Sequence, residues 1–425
     1  DWGKGGGYRA KALPIIMIMI LDIINKKANK YELTKEELET IFMGYLNNEV
    51  KDYQMSAFLM AICINDMSDS EVFALTDIFI KSGDVLDLSF IDGIKVDKHS
   101  TGGVGDKTTL IVAPLVSSCN VPVIKMSGRG LGYTGGTIDK LESIPSFTVD
   151  LSEEEIKKQA KDIGLVITSQ TKDLAPLDKK VYALRDVTAT TNSIPLIASS
   201  IMSKKIAGGA DKIVIDIKVG CGALLKTMEE AKRLESLLIK IGSYYQKEVR
   251  TIISNMDRPL GHNIGNKLEV LEAFEVLKGN VKGELLNLSL DLASKMVSMG
   301  KEISESEARD EVVENLNNGK ALNKFLEFVR YQHGDIDNLK IDAKVYNIKA
   351  NKSGALKDIN ALAIAKLSES LGAGRKNKDD TIDYNAGVVI KKEIGDEIKE
   401  GDLLASLYTN IDNPNFNLEG IFEIS

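Results

Sequence analysis

IKVDKHSTGGVGDKTTLIVAPLV, residues 94–116, decides the fold. A short β-branched run at Ile94–Val96 gives way to a polar, glycine-rich segment, and an apolar helical pattern follows it. Strand, glycine-rich turn and helix make the repeating unit of a parallel α/β sheet, and such sheets hold ligands beyond the carboxyl ends of their strands. Within the turn, Lys98 to Thr109, three glycines (Gly102, Gly103, Gly105) let backbone N–H groups approach an anion closely. Ser100, Thr108 and Thr109 add hydroxyl donors, and Lys98 adds positive charge. A glycine-rich surface turn is the plainer alternative, but lysine, histidine, serine and threonines crowded into twelve residues favour a phosphate-binding loop. It is not a Walker A loop, because Asp106 rather than glycine precedes Lys107.

Outward from this stretch the same pattern recurs. Candidate strands lie at Val121–Met126, Leu165–Thr168, Lys212–Lys218 and Thr251–Ser254, with Ser152/Glu155 and Thr227/Glu230 as capping boxes for helices between them. The first hundred residues read instead as helices, started by Thr34/Glu37 and Ser68/Glu71 and stopped at Gly83. A second helical block, Leu177 to about Ala207, interrupts the α/β alternation and is expected to pack with the N-terminal helices.

The expected architecture is therefore α/β. It has a helical domain in two separated segments (16–83 and 177–207) and a larger α/β phosphate-binding domain with a mixed central sheet (84–176 and 208–335). A C-terminal α+β region (336–425) completes it. Residues 1–15, with their GKGGG run, read as a leader or cloning remnant. In the C-terminal region GVVIKKEIGDEIKEGDLLASLY, 387–408, looks like a small biotinyl/lipoyl-type β unit, but it has no Met-Lys-Met attachment lysine and reads as structural.

Composition removes several function classes. The net charge is −8 and no long Lys/Arg run occurs, so no nucleic-acid partner is expected. The three cysteines (Cys63, Cys119, Cys221) are odd in number and widely spaced, which fits reduced thiols in the cytoplasm. The apolar run Ala12–Leu21 contains Pro14 and is too short to cross a membrane. The three histidines (His99, His262, His333) are far apart and have no cysteine neighbours, so no catalytic zinc is expected.

A second cluster, KMSGRGLGYTGGTIDKLE (125–142), also follows a candidate strand. Gly130, Gly132 and Gly135 match the dinucleotide pattern formally, yet the acidic residue about 20 positions on, Asp150, sits before a helix cap and not at a strand end. The two glycine-rich strand ends are better read as surrounding one phosphate, with Lys125, Ser127 and Thr137 joining Lys98, Ser100 and Thr109. The helical block carries Arg185, Ser200 and Lys204; the last two are four apart and share a helix face. Most such cations are solvated, but IPLIASSIM around them is apolar and small. His99, wedged between Lys98 and Ser100, is favoured for a direct role over simple packing.

Taken together, VDKHSTGGVGD (96–106), SGRGLGYTGGTIDKLESIP (127–145) and YALRDVTAT with SIPLIASSIMSKKIA (within 182–207) resemble the thymidine and pyrimidine-nucleoside phosphorylases. The similarity runs from about Met19 to near the C-terminus. The resemblance implies a helical and an α/β domain with the active site in the cleft, closure of the two, and a homodimer formed through the helical domain. It implies phosphate contacts at Lys98, Ser100, Thr109, Lys125, Ser127 and Thr137. Base contacts fall on His99, Arg185, Ser200 and Lys204, with His99, Arg185 and Lys204 catalytic. Some members hold a monovalent cation; the matching positions are Gly105, Lys107, Leu260, Asn263 and Glu272, mostly through backbone carbonyls, and potassium is the expected ion.

The implied reaction is phosphorolysis of thymidine, deoxyuridine or uridine to free base and (deoxy)ribose 1-phosphate, with phosphate as co-substrate and no organic cofactor. Two departures touch this expectation. Tyr133 stands where members commonly have histidine, and KVGCGALLK (218–226) replaces a KTGAGAFMK-like pattern, which bears on substrate selectivity. Anthranilate phosphoribosyltransferase and AMP phosphorylase are the enzymatic rivals. An inactive nucleoside-binding protein is the rival from another class.

Overall fold

The structure is a computed structural model that describes residues 9–130, 133, 135–170, 173–375, 380–412, 414 and 416–425. In chain order its first helices are α1 (Arg9–Ala28), α2 (Lys35–Leu46), α3 (Asp52–Asn65), α4 (Asp69–Lys81), α5 (Thr108–Ser118), α6 (Thr137–Glu142), α7 (Glu153–Ile163), α8 (Pro176–Arg185), α9 (Ile194–Ala207) and α10 (Met228–Tyr244). The strands that organise the larger part are β1 (Val96–Ser100), β2 (Val123–Ser127), β3 (Leu165–Ser169), β4 (Lys212–Val219) and β5 (Glu248–Asn255). The chain divides into two compact units, 1–87 with 172–209 and 232–247, and 88–171 with 210–231 and 248–425.

The first unit is helical because its starts are chemically fixed. Thr34 Oγ1 accepts from the Glu37 N–H at 3.3 Å while the Glu37 carboxylate accepts from the Thr34 N–H at 2.8 Å, and Ser68 and Glu71 repeat the arrangement. Glu71 does more than cap: its buried carboxylate also pairs with Lys27 Nζ at 2.8 Å, joining α1 to α4. In the core Phe42 meets Phe58 and Phe79 edge-on, each at 5.7 Å. Leu177, Val181, Leu184 and Leu196 of the later helical block join this same core. After α4 the chain turns at Gly83, where a Cβ would lie 2.0 Å from the Asp173 carbonyl oxygen. Helix α1 starts at Arg9, within the segment read as a leader.

In the second unit β1 pairs with β4, β4 with β5, and β2 with β3. All three pairings are parallel, which corrects the mixed sheet expected here; helical crossovers return each strand in the same direction. Strand β1 also runs later than the apolar pattern indicates, through Ser100, because Asp97, Lys98 and His99 face Ile213, Val214 and Ile215 of β4 in register. The first residues of the glycine-rich stretch Lys98–Thr109 therefore belong to the strand, and its last two open α5. Helix α5 is almost entirely buried and supplies Leu110, Ile111, Val112, Leu115 and Val116 to the core.

The C-terminal part is antiparallel. Strands β6 (Asn263–Gly265), β7 (Lys344–Lys349), β8 (Gly354–Ile359), β9 (Gly387–Ile390), β10 (Glu397–Ile398), β11 (Leu403–Thr409) and β12 (Phe422–Ile424) form one sheet in the order β6-β9-β11-β7 and another in the order β10-β8-β12. Among the described residues no helix is long and apolar enough to cross a membrane.

Candidate active site

Lys98 sits on β1 and is 2% exposed, and its Nζ donates to Thr108 Oγ1 at 2.6 Å. Thr108 in turn donates to Asp106 Oδ1 at 2.6 Å, and Ser100 Oγ donates to Asp106 Oδ2 at 2.5 Å. Asp106 thus ties the strand end to the first turn of α5, and sequence reasoning passed over it as the residue that spoils a Walker loop. Lys140 Nζ donates to its main-chain oxygen at 2.5 Å, and Lys218 Nζ lies 3.9 Å from its carboxylate while pairing with Asp216 at 2.7 Å. Burial pushes the Asp106 carboxyl upward, but the ammoniums of Lys218, Lys98 and Lys140 outweigh it and hold the group well below the usual carboxylate range. Lys98 moves the other way, below the ordinary lysine value, because burial penalises its charge more than Asp106 and Asp216 restore it.

Lys125 on β2 donates to the Lys98 carbonyl at 2.5 Å and lies 3.7 Å from Asp97. Lys98, Thr109 and Lys125 border one crevice, too narrow for a water molecule, with Val112, Ala113, Val123 and Met296. Three of the six expected phosphate residues thus converge; Ser100 reaches the group through Asp106, whereas Ser127 and Thr137 do not line the crevice. Ser127 closes β2, and Thr137 opens α6. Between them the second glycine cluster is held from inside: Asp139 Oδ2 accepts from Gly130 N–H at 2.6 Å and Gly136 N–H at 2.7 Å, and Arg375 pairs with its other oxygen at 2.6 Å. Those N–H groups serve the loop's own carboxylate. Gly132 of the formal dinucleotide pattern lies outside the described residues. His99 is half-buried on β1, and Tyr133 is exposed.

The remaining candidates lie in the helical unit. Lys204 Nζ pairs with Asp178 at 2.9 Å and donates to Ser200 Oγ at 3.0 Å, one turn back on α9. Asp178 is almost fully buried and was not foreseen, since only folding brings α8 against α9. Arg185 is 1% exposed; its Nε donates to the Thr190 carbonyl at 3.1 Å, and its two terminal nitrogens to Thr191 and Leu196 carbonyls at 2.8 and 3.3 Å. A guanidinium carries five N–H groups, so these three bonds shape the 190–196 turn without using all of them. Burial lowers the Arg185 pKa from its ordinary value, with Asp178 opposing.

The positions matched to a monovalent cation do not fit one. Oxygens of Leu260, Asn263 and Glu272 do converge, but on the Lys107 ammonium, at 2.8, 2.8 and 2.6 Å. Among the described residues no group of three or more His, Cys, Asp or Glu side chains could hold a metal ion.

Residues 92–322 match the glycosyl transferase family a/b domain, 21–83 the helical bundle domain of that family, and 355–417 the pyrimidine nucleoside phosphorylase C-terminal domain. The chain is 49% identical over 398 residues to a pyrimidine-nucleoside phosphorylase of Staphylococcus epidermidis, covering 92% of each. The chain belongs to the pyrimidine-nucleoside phosphorylase family. A Bacillus subtilis pyrimidine-nucleoside phosphorylase is likewise 49% identical over 401 residues, covering 93% of each chain. The structure of anthranilate phosphoribosyltransferase from Thermus thermophilus superposes with a TM-score of 0.58 at 16% identity, over 74% of this chain and 100% of that one. That likeness shows a shared fold. As a pyrimidine-nucleoside phosphorylase family member the chain is a pentosyltransferase whose glycine-rich strand ends fall within the a/b domain.

Proposed function

We propose that this enzyme catalyses reversible phosphorolysis of thymidine, deoxyuridine and uridine, releasing the free base and (deoxy)ribose 1-phosphate. The observation that carries the reading is the hydrogen-bonded chain Lys98–Thr108–Asp106–Ser100, which joins the carboxyl end of β1 to the first turn of α5, in a chain 49% identical to a pyrimidine-nucleoside phosphorylase. Breaking the glycosidic bond leaves cationic character on the sugar and negative charge on the base, and each charge needs an opposite partner. Phosphate held by Lys98, Ser100, Thr109, Lys125, Ser127 and Thr137 stabilises the sugar cation and attacks C1′ with inversion. Arg185 and Lys204, with Ser200, hydrogen-bond the base, and their charge stabilises the departing anion more than the neutral base, which is differential binding of the transition state. His99 donates to a base oxygen as that oxygen gains charge.

Phosphate is the co-substrate and no organic cofactor takes part. The enzyme is cytoplasmic and acts as a homodimer through its helical unit; in support, Tyr53, Met60 and Ile64 on one side of α3 are 71%, 37% and 73% exposed. The test is incubation with phosphate and thymidine, deoxyuridine, uridine or cytidine in turn, following free base. Phosphate-dependent release from the first three supports the reading, and no release from any nucleoside rejects it.

A further inference from the structure

Lys107 stands in the phosphate loop between Asp106 and Thr108, yet its side chain serves a different group. Its Nζ donates to the main-chain oxygens of Leu260 and Asn263, both at 2.8 Å, and to Glu272 Oε2 at 2.6 Å. An ammonium has three N–H bonds, and all three are matched. The Lys107 side chain is fully buried and Glu272 is 5% exposed.

The oxygen cage is itself supported. Glu272 Oε1 accepts from the His262 N–H at 2.7 Å and Oε2 from the Asn263 N–H at 2.9 Å, which fixes the carboxylate in place. Two glycines with positive φ let the walls close. At Gly261 (φ +77°) a Cβ would lie 2.8 Å from the Glu272 carboxylate and 2.9 Å from Lys107 Nζ, and at Gly105 (φ +74°) it would lie 2.5 Å from the Leu260 oxygen. Burial works against the ionised form of Glu272, but Lys107 and the His262 contacts hold its pKa down at about 2. Two carbonyls and a carboxylate are the hard oxygen donors a monovalent metal ion would take, and an ammonium is close to potassium in size.

We propose that Lys107 is the built-in cation of this site: its ammonium replaces a bound monovalent metal ion, so the phosphate loop is anchored to residues 260–272 by the chain itself and needs no added potassium or sodium. Because Asp106 and Thr108 flank Lys107, losing the anchor should loosen the α5 end of the loop, where Thr108 and Thr109 sit, and leave Arg185, Ser200 and Lys204 on the helical unit alone. The activity arm of the following test rests on the proposed phosphorolysis; the thermal arm does not, so failure of one is distinguishable from failure of the other.

The full-length enzyme is measured in potassium, sodium and choline chloride at equal ionic strength, reading unfolding midpoint and phosphate-dependent base release. The expected result is the same midpoint and the same rate in all three. In Lys107→Ser the buried Glu272 carboxylate loses its ammonium and keeps only the His262 and Asn263 contacts. In choline its midpoint should fall and its KM for phosphate rise roughly tenfold, the loss of about one charge-assisted hydrogen bond. Potassium or methylammonium should restore both saturably, while the KM for nucleoside stays put. Should that variant not fold, the unmodified enzyme still decides. Saturable stabilisation or activation of the unmodified enzyme by potassium overturns the proposal. So does a Lys107→Ser protein unaffected in choline, or one that is destabilised and restored by no cation.

Discussion

Lys204→Ala removes an ammonium that the structure and the proposed chemistry use differently, and the two uses can be measured apart. Structurally, Lys204 neutralises Asp178, whose side chain is 2% exposed, across 2.9 Å. Stripping one partner from a buried pair leaves a stranded charge and typically destabilises by about 3–5 kcal/mol. Lys204 is itself partly exposed and the Arg185 guanidinium also attracts Asp178, so the lower end, about 3 kcal/mol, is expected. Chemically, loss of one donor to a developing anion lowers turnover by about a hundredfold, ~2.7 kcal/mol. The double variant Lys204→Ala/Asp178→Asn removes the stranded carboxylate. It should recover most of the ~3 kcal/mol, read by urea unfolding, while base release at saturating phosphate stays about a hundredfold low. A near-normal rate in the single variant, or turnover that returns with stability in the double, would refute the assignment.

Three further outcomes follow from the geometry. Asp106→Asn keeps one acceptor where the Ser100 and Thr108 hydroxyls use two, so one of them loses its fixed position; the KM for phosphate should rise about tenfold with the nucleoside KM unchanged. In the proposed reaction phosphate binding needs charged Lys98, and burial lowers that pKa in the free enzyme; affinity should therefore be full at pH values below it and lost as pH rises through it. The alkaline limb of kcat/KM for phosphate should accordingly fall before the ordinary lysine range, and earlier still in Asp106→Asn; a flat profile up to that range contradicts this. Gly83→Ala should destabilise by about 1–3 kcal/mol, since the new Cβ meets the Asp173 carbonyl oxygen at 2.0 Å, a clash with backbone that a rotamer change cannot relieve; thermal unfolding checks it.

Local chemistry was legible in the sequence. Thr34/Glu37, Ser68/Glu71 and Ser152/Glu155 each close a capping box within three residues, so helix starts could be read directly. The two glycine-rich strand ends were visible for the same reason. Strand β1 was placed early because Asp97 to Ser100 break the apolar pattern, and only the fold supplies Thr108, Lys125 and Asp106 as their partners. The alternation of strands with helices already pointed to the parallel pairings found, and only the expectation of a mixed sheet went beyond it. Asp178 and Asp106 gained meaning from contacts across helices or turns. Lys107 is the sharpest case: the resemblance groups it with Leu260, Asn263 and Glu272 as ligands of a cation, and only contacts 153 to 165 residues apart put its own ammonium among their oxygens.

The central claim is that inorganic phosphate is the nucleophile at C1′. It is tested most directly by supplying phosphate labelled with heavy oxygen at every position, with deoxyuridine as substrate, and analysing the sugar product by mass spectrometry and NMR. The account predicts a deoxyribose 1-phosphate of inverted configuration that carries the full label, bridging oxygen included. Free deoxyribose, or a sugar phosphate whose bridging oxygen is unlabelled, would contradict it.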